Sequence, residues 1–318
     1  MIVKNEAHII ERCLLSVYSH IDTFVICDTG STDNTVEKVE GFFSERGIQG
    51  SVYRDEWVNF ASNRNLCLQR ASSLDGLDFC LMVDADETLV VHESKWRDAL
   101  CPGTVYSIAT GTTNFVYYVP VLTPASLRVR YVGVTHEYLD IPDGSKFEKF
   151  DDVRLFHFGD GGSRGDKLAR DRDLIERAMA HEQDVGLVGR YIFYLAQTYF
   201  DMGQYEKAMY YYKRRADRGG WAEEVFYALY MRASCLLHQN NMVCDDRNVR
   251  WFLKAWQFRP TRLEPLYMIM KHCGDKKLAV ALGSLGIPVK MTDDLLFVEK
   301  QIYTYEYDKL FRTLSVCK

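Results

Sequence analysis

The chain has 318 residues, 47% apolar and 26% charged, with a net charge of −5. That length accommodates two domains of ordinary size, and the composition excludes a disordered or fibrous chain. No run reaches the roughly 18 to 20 apolar residues of a membrane span. The opening "MIVKNEAHII" lacks the parts of a secretory signal.

The nine cysteines are scattered, with no CxxC pair, and read as reduced thiols of a cytoplasmic protein. Charge is uneven along the chain. Residues 1–165 carry 15 Lys and Arg against 24 Asp and Glu, whereas residues 166–318 carry 24 against 20. An acidic first half argues against a nucleic-acid channel and suits a cation-assisted site. Ordinary scatter of surface charge is the plainer alternative.

In chain order, "MIVK" is a short first strand and "TFVICD" (23–28) a buried second one. "STDNTVEKVEGFFSERG" reads as a capped helix and "SVYRDEW" (51–57) as a strand. "FASNRNLCLQRAS" is helical, and "LDFCLMVDADE" is a further buried strand. Helices of about ten to fifteen residues between buried strands predict βαβ units and a mostly parallel sheet. From about residue 166 the strand-like runs stop. Within "RYIFYLAQTYFDMGQYEKAMYYYKRRA" (190–216), Ile192, Leu195, Ala196 and Tyr199 share one helix, Gly203 turns the chain, and Ala208 and Tyr212 share the next. That spacing matches the tetratricopeptide pattern of paired antiparallel helices. Further pairs are predicted at 222–237 with 247–258 and within 262–285. The tyrosines there read as packing residues.

Two strand ends are acidic. In "CDTGSTDNT" (27–35), Asp28 ends a strand, Gly30 allows a tight turn, and Ser31, Thr32 and Asp33 can cap the next helix. In "VDADE" (83–87), Asp84 and Asp86 can converge on one ligand if the strand gives way to a turn there. In open α/β sheets ligands bind at the carboxyl ends of strands, and hard divalent cations prefer carboxylates. Each signal alone is weak, because capping turns and D-x-D triplets are common.

The ordered set "MIVKNEA", "DTGSTDNT", "FASNRNLCLQRA" and "DADE" resembles family 2 glycosyltransferases of the GT-A fold, an α/β, Rossmann-like architecture. "RVRYVGVTHEYL" (128–139), "VRLFHFGDGG" (153–162), "GGWAEEVFYALY" (219–230), "RPTRLEPLY" (259–267) and "DDLLFVEKQIYTYEYD" (293–308) look like later segments of such enzymes that carry a tetratricopeptide tail. The abbreviated first strand departs from the family pattern. The resemblance implies a GT-A domain over 1–165 and an all-α, tetratricopeptide-like domain with a C-terminal tail over 166–318. It implies inverting transfer from a nucleotide-sugar, a UDP-sugar favoured, to a hydroxyl of a glycan, protein or small molecule, with Mn²⁺ or Mg²⁺. The repeats would serve a protein partner or self-association.

Carried over by motif, Asp28 contacts the nucleobase, Asp84 the ribose and Asp86 the metal. Asn5, Glu6, Gly30 and Ser31 line the nucleotide pocket, and Arg64 approaches the donor. Glu137 is the first candidate for the general base that inverting transfer needs. His136 would bind substrate or act as the base itself, and Glu87 and Asp160 are fallback bases. His157 is either a core residue or part of the metal shell. The loop "GDGGSRGDK", with Arg164 and Lys167, closes over the diphosphate or merely links the domains. The competing reading is a degenerate transferase domain that acts as a protein-binding scaffold through its repeats. A nucleotidyltransferase is disfavoured, because no glycine-rich, Lys/Arg-bearing loop follows the first strand.

Overall fold

The computed structural model describes residues 1–113, 116–161 and 167–316. The chain divides into two units, Met1–Lys167 and Leu168–Lys318. In the first, β1 (Ile2–Val3), β2 (Phe24–Asp28) and β3 (Gly50–Arg54) form a parallel sheet in the order β1-β2-β3. Helix α1 (Ile10–Val17) joins β1 to β2, α2 (Thr35–Glu45) joins β2 to β3, and α3 (Phe60–Ser72) follows β3.

The expectation of a mostly parallel sheet holds for these three strands and is corrected for the later ones. The strands β4 (Phe79–Leu81), β5 (Glu87–Val91), β6 (Thr104–Gly111), β7 (Val116–Pro124) and β10 (Lys146–His157) form a mixed sheet in the order β4-β7-β6-β10-β5. Only the β6–β10 pair is parallel; the other three junctions are antiparallel. For the β6–β7 pair the cause lies in connection length. Only residues 112–115 join β6 to β7, and parallel strands need a crossover of about a dozen residues or more. The short strands β8 (Arg130–Val132) and β9 (Tyr138–Asp140) form a separate antiparallel hairpin.

Helix α1 serves two of the hydrophobic clusters of this unit. Its Ile10 and Leu14 pack with Val3, Ile26, Val39 and Phe43, while Cys13 and Val17 pack with Leu89, Tyr106, Ile108 and Leu155. Residues four apart on a helix share a face, so α1 offers one stripe to each cluster. The chain after β4 is anchored the same way. Val83 enters one cluster and Ala85 the other, leaving Asp84 and Asp86 on the partly exposed side. Burying a valine side chain stabilises by about 1.5–3 kcal/mol, enough to fix this acidic turn.

The second unit is helical. It runs from α4 (Lys167–Met179) through α5 (Val185–Asp201), α6 (Tyr205–Asp217), α7 (Ala222–Gln239), α8 (Asp246–Phe258), α9 (Glu264–His272) and α10 (Lys276–Gly283) to α11 (Tyr307–Val316). Gly203, at φ +70°, turns α5 into α6, and the six residues read as repeat packing positions, Ile192 to Tyr212, are all buried. Consecutive helices pack on one another from α5 to α10, as stacked helix pairs do.

Candidate active site

The segment after β2 is held by short polar side chains. The Asp28 carboxylate accepts from the Gly30 amide at 3.3 Å and the Ser31 amide at 3.1 Å, a turn that Gly30 permits at φ +100°. This turn is stitched to the end of β1. The Asn5 amide donates to Ser31 Oγ at 2.9 Å, and the Thr32 amide donates to Asn5 Oδ1 at 2.7 Å. The Glu6 amide donates to Thr35 Oγ1 at 2.8 Å, and the Ala7 amide to Asp33 at 3.1 Å. Asn5, Glu6, Asp28, Gly30 and Ser31 therefore form one continuous rim, with Asp28 and Glu6 buried. Asn5 occupies the left-handed region at φ +57°, which asparagine tolerates better than most residues.

The second acidic tip adjoins that rim. A Cβ on Gly161 would lie 3.4 Å from Asp86 Oδ2 and 3.5 Å from Glu6 Oε1. Arg64, on the first turns of α3, binds Asp84 through both terminal nitrogens, at 2.8 and 2.9 Å, and donates from Nε to Glu137 Oε1 at 2.7 Å. Burial pulls the Arg64 guanidinium down, but Asp84 and Glu137 outweigh it and hold its pKa well above the usual value. Burial would likewise raise the Asp84 carboxyl, and Arg64 reverses the sign, leaving it below the carboxylate range. Glu87 behaves oppositely. Burial first, then Asp84, push it up to about 8, while it accepts a 3.0 Å bond from the Asp84 amide. A buried acid next to a carboxylate keeps its proton near neutrality.

The structure brings Glu137 and His136 to this site on the loop 133–137, which closes the β8–β9 hairpin. Gly133, at φ +108°, passes so close that an added Cβ would meet Glu137 Cα at 3.4 Å, and His136 is left-handed at φ +50°. His157 ends β10 with its Nδ1 3.7 Å from Asp86 Oδ1 and its side chain 36% exposed, too open for a core histidine. Among the described residues there is no group of three His, Cys, Asp or Glu that could hold a metal. Asp86 and His157 are two donors that one six-coordinate cation could share, with phosphate oxygens and water completing its shell. Asp160 is held by Arg12, which grips both its oxygens at 2.7 and 2.9 Å, and His8 Nε2 lies 3.0 Å from its carbonyl. In the glycine-rich loop, residues 162–166, with Arg164, lie outside the described residues; Lys167 opens α4.

Some contributors escaped the sequence reading. Asn63 donates to the Glu56 carbonyl at 2.9 Å and accepts from the Val58 amide at 3.0 Å. Asn65 donates to the Tyr131 carbonyl at 2.8 Å and accepts from its amide at 2.6 Å. Consecutive polar residues within a helix were the available signal. Tyr117, half-exposed on β7, has its hydroxyl pKa raised by burial and then by Glu87, Asp84 and Asp86. The lining of a cavity of about 1040 Å³, with Val25, Leu68, Phe79 and Trp96 among others, does not include Asp28, Asp84 or Asp86.

An α/β, GT-A-like domain with acidic turns after β2 and β4 is followed by a helical domain. Residues 1–92, the first part of the N-terminal unit, match the family described as Glycosyl transferase family 2. A TPR repeat-containing protein of Synechococcus elongatus is 34% identical over 93 residues, 29% of this chain; the match spans about a fifth (21%) of that relative's length. A crystal structure of S. aureus TarS superposes with a TM-score of 0.39 at 12% identity, covering 89% of this chain and 51% of that one. A TarS 1-349 structure in complex with UDP-GlcNAc gives 0.40 at 14% identity, covering 89% and 90%. No helix among the described residues is long and apolar enough to cross a membrane.

Proposed function

We propose that this protein is an inverting glycosyltransferase that moves a sugar from a nucleotide-sugar, a UDP-sugar favoured, to a hydroxyl acceptor. The observation that carries this reading is the meeting of the Asn5–Ser31 rim with the Asp84–Asp86 turn in the domain that bears the family match. Asp28 and the rim residues would hold the base, and Asp84 would accept from ribose hydroxyls. Each Asp84 oxygen keeps acceptor capacity beyond its bond to Arg64.

Asp86 and His157 would hold a Mn²⁺ or Mg²⁺ ion, which supplies positive charge to the departing diphosphate. Glu137 removes the proton from the acceptor hydroxyl. The acceptor oxygen forms its bond to the anomeric carbon as the bond to the diphosphate oxygen breaks, and the diphosphate leaves with that electron pair. With Oε1 bonded to Arg64, Glu137 has Oε2 to receive the proton; His136, its strained neighbour, would orient the acceptor. Glycan, protein and small-molecule acceptors all offer the required hydroxyl.

Incubation with a panel of nucleotide-sugars, UDP-GlcNAc included, plus Mn²⁺ tests this by release of nucleotide diphosphate. Release from at least one donor is the expected outcome. A folded protein that releases diphosphate from none would favour a scaffold whose helical repeats bind a partner.

A further inference from the structure

We propose that Arg64 is a positioning residue that joins the donor-side and acceptor-side carboxylates, Asp84 and Glu137, into one unit; this rests on the glycosyltransferase reading of the site. A donor-binding arginine would direct its N–H groups into open space where phosphate or base could lie. Arg64 instead spends Nε on Glu137 and both terminal nitrogens on Asp84, with its side chain only 11% exposed.

The surroundings of Arg64 serve the same end. On one side in sequence, Asn63 ties α3 to the preceding loop through Glu56 and Val58. On the other, Asn65 takes both main-chain groups of Tyr131 on β8. One turn earlier, the Phe60 amide donates to the Val134 carbonyl inside the hairpin loop. Three successive side chains thus fix the helix to its surroundings, Asn63 to the preceding loop, Arg64 to the acidic tip and the hairpin loop, and Asn65 to β8. The hairpin itself is two three-residue strands, and an isolated pair of strands is marginal in water. Its loop carries Glu137 on a left-handed His136, so the position of Glu137 depends on what α3 holds.

Geometry also sets what a substitution can replace. The guanidinium fork meets Asp84 with two parallel bonds and still reaches Glu137 with a third; a lysine ammonium is a point charge with no such fork. Lysine would keep the net charge and lose the bridge. Glutamine would lose both.

Two measurements test the proposal. The first needs no ligand. Amide hydrogen exchange of the full chain should be at least tenfold faster at residues 135–138 in Arg64→Gln and Arg64→Lys than in the wild type, with α5 to α8 unchanged. Unchanged exchange in that loop would overturn the positioning role, even if no donor were ever found. The second is a double-mutant cycle on diphosphate release, with the donor that the panel identifies. Arg64→Lys should lower kcat by roughly tenfold or more, and Glu137→Gln by about a hundredfold. The double variant should be no slower than Glu137→Gln by more than about threefold, because both changes remove one unit. Losses that multiply would mean that Arg64 acts independently of Glu137 and would overturn the coupling. Should Arg64→Gln fail to fold, Arg64→Lys carries both tests. A wild type that releases no diphosphate refutes the transferase reading and leaves the exchange result to judge Arg64.

Discussion

Each unit contains an arginine that bridges two carboxylates, and the two networks differ in what they leave open. In the helical unit Arg262 is fully buried, as is Glu264, and the Asp294 side chain is 4% exposed. Arg262 donates to Glu264 at 2.9 Å, to Asp294 at 3.3 Å and to the carbonyls of Leu296 and Phe297 at 3.0 and 3.2 Å, with its guanidinium over the Phe226 ring. Tyr303 adds a 2.7 Å bond to Glu264. In the α/β unit, Arg64 is as tightly paired, yet the Asp84 side chain is 39% exposed. A sealed network serves the fold and pins the 294–303 segment to the repeats. An unsealed one presents acceptor oxygens to a ligand. The same ionic chemistry therefore serves structure in one unit and, on the proposed function, a site in the other.

Breaking each network should separate these roles. The largest effect belongs to Arg262→Ala. It leaves Glu264 without its guanidinium and Asp294 with Arg259 alone, and loss of one partner of a buried ion pair destabilises by about 3–5 kcal/mol. Denaturant unfolding should show that loss for the helical unit. Asp86→Ala should do the reverse, removing metal-stimulated diphosphate release by at least about a hundredfold while thermal unfolding is nearly unchanged. Glu137→Gln should slow transfer by about a hundredfold, roughly 2.7 kcal/mol on the barrier, with the metal dependence kept. Normal transfer by that variant would move the base elsewhere.

Smaller effects sharpen the contrast. Asn65→Ala strips both main-chain groups of Tyr131 of their partner and should destabilise the α/β unit by about 1–3 kcal/mol in a denaturant titration. Burial would raise the Asp294 carboxyl, but Arg259 and Arg262 outweigh it and hold it low. A depressed folded pKa stabilises above the unfolded value of about 3.9, and that stability is lost as pH falls through the folded one. Acid titration of the helical unit should show this loss in the wild type and a reduced one in Arg262→Ala.

Much of this was legible in the residues. Ile192, Leu195, Ala196, Tyr199, Ala208 and Tyr212 announce a helix pair because helical spacing records burial directly. Asp28 and Asp84 stand out only through the order of the motifs around them, because an acid at a strand end is common on its own. The β5–β10 ladder was not legible: its partners are over fifty residues apart, and pairing across such a distance leaves no local pattern. The role of Arg64 was hidden for the same reason. Its partners, 20 and 73 residues away, can be found only once the chain is folded, and the Arg262 network joins residues over 30 apart.

The central claim is that the acidic turn after β4 binds a nucleotide diphosphate through a divalent cation. Calorimetric titration of UDP into the wild type and into Asp86→Ala, each with and without Mn²⁺, tests it most directly. Manganese should tighten UDP binding at least tenfold in the wild type and leave the variant unchanged. Equal affinities in all four titrations, or equal tightening in both proteins, would contradict the account.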